Sequence, residues 1–336
     1  MEENTKKSNK KIIIAVVAVI VALVVGLSIF FICNNNGNKE EEKEQGTEVK
    51  KGQITPLMYE VTKEGSDNKI YLFGSIHLAA SNEFEYPKYV LDAYNNSDYL
   101  AVEADIVKSQ SDPNFVQNEL ERMKYNDGTT IKDHISEETY NKMIAFLKNR
   151  IVYNEEMDTY KAYFFESLLT QYTFADAGID SSNGVDIHFI NEAYKDKKTI
   201  LEVESVEFQS KLLLGFSDRL YELSLASILD EYDKQVEDAK KLYSAWKKGD
   251  PSEIEKIVIS QDGDESKYSQ EELELLEDYN KRLITDRNVG MKDKLEDYFN
   301  NNQKVLYIVG TAHLVGDDGI ANLLIKDGYK VVQVNK

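Results

Sequence analysis

Two apolar runs interrupt an otherwise polar chain near its opposite ends, and both close in the same way. Ile70-Tyr71-Leu72-Phe73 leads into Gly74-Ser75-Ile76-His77, and Val305-Leu306-Tyr307-Ile308-Val309 leads into Gly310-Thr311-Ala312-His313. Unbroken runs of this length, rich in β-branched and aromatic residues and bounded by glycine, predict strands covered on both faces, as in a parallel or mixed sheet with helices packed over it. A glycine at the last strand position lets the backbone turn sharply or approach a ligand closely. Each histidine then falls at a carboxyl strand end, where open α/β sheets bind ligands. The expectation is that His77 and His313 meet over one pocket.

The pattern between these runs supplies the other elements. Leu57 to Val61, followed by the polar turn residues Glu64 to Asn68, predicts a hairpin into the first buried strand. Pro87 opens a helix with Tyr89, Val90, Ala93 and Tyr94 at helical spacing, and Asn95-Asn96-Ser97 ends it. Tyr99 to Asp105 reads as another buried strand finishing in two carboxylates, Glu103 and Asp105. A right-handed strand–helix–strand crossover places Glu103 beside His77. From about 113 to 300 the chain reads as mostly helical, interrupted by one strand, Lys198 to Glu204. The terminal unit is a strand over 304–309, a helix over Ile320, Leu323, Leu324 and Ile325, and a strand from Tyr329 to Val334. The fold class expected is therefore α/β: a mixed sheet of two similar strand-GxxH-helix-strand halves with a large helical insertion.

The first 52 residues follow a different pattern. Ile12 to Ile32 is uncharged and almost wholly apolar, long enough at ~1.5 Å per residue to cross a ~30 Å hydrocarbon layer. Lys6, Lys7, Lys10 and Lys11 precede it and Glu40 to Glu42 follow, so the positive-inside bias sets the amino terminus in the cytoplasm and the body outside the cell membrane. The division expected is a cytoplasmic tail over 1–11, a single transmembrane helix over 12–32, a charged linker over 33–52 and a folded body over 53–336. A cleaved signal peptide is the competing reading, but its apolar core runs to about 7–15 residues with small residues at the cut. Here the run is longer and ends Phe30-Phe31-Ile32-Cys33.

Composition narrows the chemistry. Of 336 residues 42% are hydrophobic, enough for a full core. Residues 1–50 balance seven basic against seven acidic side chains, so the net charge of −20 falls on the remainder. Such a body repels phosphate backbones, and nucleic acid is excluded as a partner. Cys33 is the only cysteine, which removes intrachain disulfides, thiolate metal sites and cysteine nucleophiles from the body.

The segment Tyr71 to His77, the spacing to Val102-Glu103-Ala104-Asp105, Gly184-Val185-Asp186, Leu201-Glu202, Arg287-Asn288 and Val309 to Leu314 together resemble the TraB/GumN (pheromone-shutdown) family over about residues 55–336. That family is similar to the Tiki membrane-anchored metalloproteases and, more remotely, to erythromycin-esterase-like enzymes and the ChaN haem-binding proteins. The resemblance implies an α/β fold with paired Gly-x-x-His histidines and a glutamate in one site that takes a divalent metal, and a role like suppression of a secreted peptide signal.

His77, Glu103 and His313 make chemical sense as metal ligands. Two imidazoles and a carboxylate leave positions open for water and substrate, as in hydrolytic Zn²⁺ sites, and suit Mn²⁺ or Co²⁺ as well. The roles stay open: Glu103 as ligand with Asp105, Glu202 or Glu204 as general base, or Glu103 as the base itself. Arg287 is placed to stabilise a developing oxyanion. His134 and His188 read as structural. The function expected is a membrane-anchored, metal-dependent peptidase acting on a secreted peptide or membrane-proximal protein. A non-enzymatic binder sequestering a peptide signal is the alternative, and a haem binder the remotest one.

Overall fold

The computed structural model describes residues 52–80, 84–179, 184–258 and 265–334. Among these residues eight strands form two sheets: β1 (Gly52–Gln53), β2 (Met58–Thr62), β3 (Ile70–Ser75), β4 (Phe84–Glu85), β5 (Tyr99–Val102), β6 (Thr199–Glu202), β7 (Val305–Gly310) and β8 (Lys330–Gln333). β1 and β4 pair alone, and the other six form one sheet in the order β6-β5-β7-β3-β2-β8. Only β2 runs against the rest, antiparallel to both β3 and β8. This is a mixed α/β fold, as the sequence pattern predicts, with the expected hairpin as β2–β3.

The two long apolar runs become the middle of the sheet. β3 and β7 pair in parallel with Gly74 opposite Val309 and Ser75 opposite Gly310. All six residues of β7 are buried, because successive side chains point to opposite faces and both faces are covered. Phe73, Leu100, Val102, Leu306 and Ile308 face one apolar layer with Val90, Phe189 and Trp246. Leu72, Ala101, Tyr307 and Val309 face the other, with Met143, Phe165 and Leu225 from the helical middle. That middle runs from the helix Pro113–Arg122 to the helix Asp286–Asn300, with β6 as the one strand among its described residues and as the sheet's edge.

Glycine is demanded where the two motifs touch. A Cβ on Gly74 would stand 2.7 Å from Thr311 Oγ1, so a side chain there would force the strand end and the following turn apart. Trp246, fully buried, donates its indole N–H to the Gly74 carbonyl at 3.0 Å and fixes the same strand end from the opposite side.

The two halves expected to be alike differ in their geometry. β7 lies between β3 and β5, so Glu103 at the end of β5 neighbours the second motif first, and not the first motif as the simple crossover implied. β8 does not return beside its own half but pairs with β2 at the far edge. The connection from β5 to β6 leaves toward one edge of the sheet and that from β7 to β8 toward the other, which makes the β5/β7 boundary a topological switch point and opens a crevice beyond the carboxyl strand ends. The tail, anchor and linker expected over 1–52 lie outside the described residues, apart from Gly52, which belongs to β1. Among the described residues no helix is long and apolar enough to cross a membrane.

Candidate functional site

Four parallel strands end at one rim, and each contributes to a compact polar cluster there. Glu103 follows β5 and is 4% exposed. Its Oε1 accepts the Gly310 amide at 2.7 Å; its Oε2 accepts Arg287 Nη2 at 2.7 Å and Gln209 Nε2 at 3.0 Å. Glu204, beyond β6, accepts Arg287 Nε at 2.8 Å on one oxygen and Arg287 Nη2 and Gln209 Nε2 on the other. Arg287 also donates to the Leu283 carbonyl at 3.2 Å, within the π-helical turn Lys281–Thr285 that precedes its helix.

Electrostatics follows from that geometry. Burial pushes the Glu103 carboxyl up, but the guanidinium beside it, with the Gly310 amide, holds it well below the usual carboxylate range. Burial disfavours charged Arg287 as well, and the two carboxylates reverse this and raise its pKa. Arg287 is 3% exposed and donates to two carboxylates and a carbonyl, so it holds the floor of the site together. Glu204 has both oxygens in the same clamp.

His313 sits in the short turn Thr311–Leu314 after β7 and is fully buried. Its Nδ1 lies 2.6 Å from Asn288 Oδ1. The Asn288 amide nitrogen donates to the Asp318 carbonyl at 2.8 Å, which orients the amide so that its oxygen faces the ring. Nδ1 therefore carries the proton, and Nε2 keeps a bare lone pair. Nε2 has no hydrogen-bond partner and faces Glu103 Oε1 across 3.9 Å. Burial first, then the Arg287 charge, pull the His313 pKa to about 3, so the ring is neutral. Thr311 Oγ1, in the same turn, is likewise buried without a partner.

His77 is held in the same manner by a different partner. Its Nδ1 lies 2.7 Å from Asp186 Oδ2, and Ser75 Oγ donates to the other oxygen of Asp186 at 3.1 Å. Asp186 is in the first turn of the helix Val185–Asp196. That helix can start there because Gly184 lies against the backbone of His77, where a Cβ would stand 2.0 Å from its carbonyl oxygen. The His77 side chain is 15% exposed. Burial lowers its pKa, but the charge and hydrogen bond of Asp186, with Glu103 behind it, raise it to about 9. The same rim thus carries one neutral and one protonated imidazole.

A divalent metal fits this donor set in kind. Both imidazoles have Nδ1 anchored, the arrangement that leaves Nε2 as the ligating nitrogen. Two ligands about 2.1 Å from one ion stand at most ~4.2 Å apart, and His313 Nε2 and Glu103 Oε1 at 3.9 Å fall inside that limit. His77 is not drawn into the set: among the described residues, no three His, Cys, Asp or Glu side chains are grouped to hold a metal ion.

The remaining candidates are placed elsewhere. Asp105 caps the helix Ile106–Gln110 through Lys108 N and accepts Tyr194 Oη, while Glu202 accepts the Asp105 amide. His134 bridges Thr129 and Asp218 and stacks on Tyr125, and His188 stacks on Tyr86. Asp186, Gln209 and Asn288 join the site with no role assigned to them from sequence. Asp186 and Asn288 lie in segments that carry the family resemblance, but nothing in the local pattern marks Gln209 apart from an ordinary helix residue.

The model of the TraB/PrgY/gumN family matches residues 57–333 of this chain. Curated relatives include the "Uncharacterized protein YbaP" of Escherichia coli K12 and that of Shigella flexneri. Each is 23% identical over 265 residues, covering 79% of this chain and 90% of the relative. No solved structure matches.

Proposed function

Because this chain belongs to the TraB/PrgY/gumN family, we propose that the rim carrying His77, Glu103 and His313 is the centre of a divalent-metal-dependent hydrolase acting on peptide bonds, carried outside the cell by the apolar segment 12–32. One observation supports this above the others: the bare Nε2 of neutral His313 faces the Glu103 carboxylate across 3.9 Å with no partner of its own. Two electron-rich atoms facing each other in a buried site call for a cation or a proton donor between them.

His313 and Glu103 would hold the ion, and His77 would complete the set on giving up its proton. Bound Mn²⁺, Co²⁺ or Zn²⁺ would supply a Lewis-acidic centre and a water of lowered pKa. The chain's own residues prepare that place. Arg287 and Gln209 keep Glu103 ionised and fixed, Asn288 presents Nε2 of His313, and Asp186 aims the His77 ring. The test is metal uptake by elemental analysis and calorimetry on the full chain, with peptide-library cleavage, against His77→Ala and His313→Ala. Uptake and cleavage lost in both variants support the reading. Cleavage unchanged in both variants sinks it.

A second reading, a binder that sequesters a peptide signal without cutting it, is favoured by the absence of a grouped three-residue metal set among the described residues. Peptide binding without turnover, retained in the double histidine variant, decides for it.

A further inference from the structure

Among residues that take no part in the rim, a hydroxyl, an imidazole and a carboxylate stand in line. Thr129 Oγ1 lies 2.7 Å from His134 Nε2, and His134 Nδ1 lies 3.1 Å from Asp218 Oδ2. Each ring nitrogen thus meets the kind of partner it has in a hydrolytic triad, a constellation defined by contacts and roles and not by chain order.

The three side chains come from separate elements. Thr129 follows Gly128, which is at φ +83° and has open space where a Cβ would stand. His134 closes the turn Ile131–Asp133, and its ring lies on that of Tyr125 with centroids 3.9 Å apart and planes 8° apart. Asp218 is in the first turn of the helix Asp218–Asp230, where the amide dipoles favour a carboxylate, and its other oxygen accepts the Ala162 amide at 3.4 Å. The stack sets the plane of the imidazole and the carboxylate sets its tautomer. With Nδ1–H directed at Asp218, the neutral ring turns a bare Nε2 to the Thr129 hydroxyl. The side chains of His134 and Asp218 are 27% and 26% exposed, so the line is open to molecules in solution.

Asp127 competes for the hydroxyl proton. Its Oδ1 accepts Thr129 Oγ1 at 2.6 Å and the Thr129 amide at 3.0 Å. Those two donors, the hydroxyl first, hold the Asp127 carboxyl below the usual carboxylate range, and carboxylates are weaker bases than imidazoles to begin with. Asp127 therefore fixes the hydroxyl oxygen at rest, and on attack the proton passes to Nε2.

We infer that Thr129, His134 and Asp218 form a second reactive centre, in which Thr129 Oγ1 is a nucleophile that takes the acyl group of an activated ester. Thr129 Oγ1 bonds to the acyl carbon as its proton moves to His134 Nε2. The ester C–O bond then breaks, and the alcohol leaves with that proton. Water repeats the steps on the acyl-threonine: His134 takes its proton, the hydroxide adds to the carbonyl, and the proton returns to Thr129 as the acid departs. Amines leave far less readily than activated alcohols, so esters and not peptide bonds are the class this centre takes.

The probe is p-nitrophenyl acetate on the full chain in detergent, quenched early in acid, with acetylated residues mapped by peptide mass spectrometry. Thr130 is the internal control, since it is half-buried like Thr129 but its hydroxyl donates to Asp133 at 3.1 Å. Thr129 should be acetylated about 100-fold faster than Thr130, the lower end of what a positioned base contributes. His134→Phe keeps an aromatic ring for Tyr125 and removes the base, and should bring Thr129 down to the rate of Thr130. Thr129→Ser should be acetylated at position 129 as the parent is. The double variant His77→Ala with His313→Ala should label Thr129 at the parent rate, which separates this centre from the rim. Acetylation of Thr129 no faster than of Thr130 in the parent chain, or undiminished in His134→Phe, or lost in the double variant, overturns the inference. The comparison of the two threonines is made within one folded chain, so it decides even where a variant fails to fold.

Discussion

Arg287 Nη2 and Glu103 Oε2 meet at 2.7 Å in a site where both side chains are 5% exposed or less. The pair joins the helix Asp286–Asn300 to the end of β5, and Glu204 extends it to the end of β6. Arg287→Met leaves two buried carboxylates without their cation, and breaking such a pair from one side costs about 3–5 kcal/mol. A large fall in the denaturation midpoint is expected by urea titration. Glu103→Gln, which keeps the shape and leaves Arg287 paired with Glu204, should cost clearly less. Equal losses would mean that Arg287 is not the residue the clamp depends on.

Acid should open the same clamp. The Glu103 pKa is depressed in the folded chain, burial opposing and Arg287 driving the shift. Its contribution is therefore present above the unfolded value of about 4.3 and lost as pH falls through the folded one. Neutral His313, with a folded pKa of about 3, works in the same direction. Its unfolded form takes up a proton below about 6.5 and draws stability away as pH drops. Stability should decline from pH ~6.5 and steepen below ~4.3, with the upper part of the decline missing in His313→Leu. A profile in that variant identical to the parent's contradicts the assignment.

His77 contributes with the opposite sign. Its folded pKa of about 9 lies above the ordinary imidazole value, so its contribution is full below pH ~6.5 and disappears as pH rises through 9. A shift of this size corresponds to stability on the order of 3 kcal/mol. Asp186→Asn should bring the His77 titration, followed by ring-proton NMR, down toward the ordinary range. An unmoved midpoint would show that Asp186 is not the cause.

Metal uptake should release a proton. A ligand must be deprotonated to bind, and His77 is protonated at neutral pH. Calorimetry in buffers of different ionisation enthalpy should therefore show about one proton leaving per ion near pH 7.5, and His77→Ala should remove that release. Independence from buffer enthalpy in the parent chain would take His77 out of the donor set.

Asn288 should matter through the ring it holds. Asn288→Leu keeps the bulk and removes the acceptor at 2.6 Å, so His313 loses the contact that fixes its tautomer. Metal affinity should drop by about 10–100-fold, the usual effect of losing such a partner, with the fold intact by circular dichroism. Asn288→Asp, which still accepts from Nδ1, should recover most of it. If Leu and Asp behave alike, the hydrogen bond carries no weight.

The sequence by itself determined the six strands of the main sheet but not β1 and β4; the two apolar runs closed by glycine have few other ways to be buried, and both histidines fall at carboxyl strand ends for that reason, with Glu103 at the end of a third apolar run. The hairpin was legible from the turn residues Glu64 to Asn68, and the helices after Pro87 and over Ile320 to Ile325 from the spacing of apolar residues; the individual helices of the middle were not. Strand order was not. β7 enters between β3 and β5 although some two hundred residues of helical chain separate it from either, and local pattern says nothing about which edges pair. That single insertion decided that Glu103 meets Gly310 and His313 before His77. It also decided that Arg287 joins two carboxylates from neighbouring strand ends. The unequal imidazoles are tertiary as well: two Gly-x-x-His motifs become one charged and one neutral ring because Asp186 reaches the first, while burial and the Arg287 charge act on the second. Residue type and spacing fix what a side chain is able to do; burial and the charge of its neighbours, which only the folded chain supplies, fix which of those things it does.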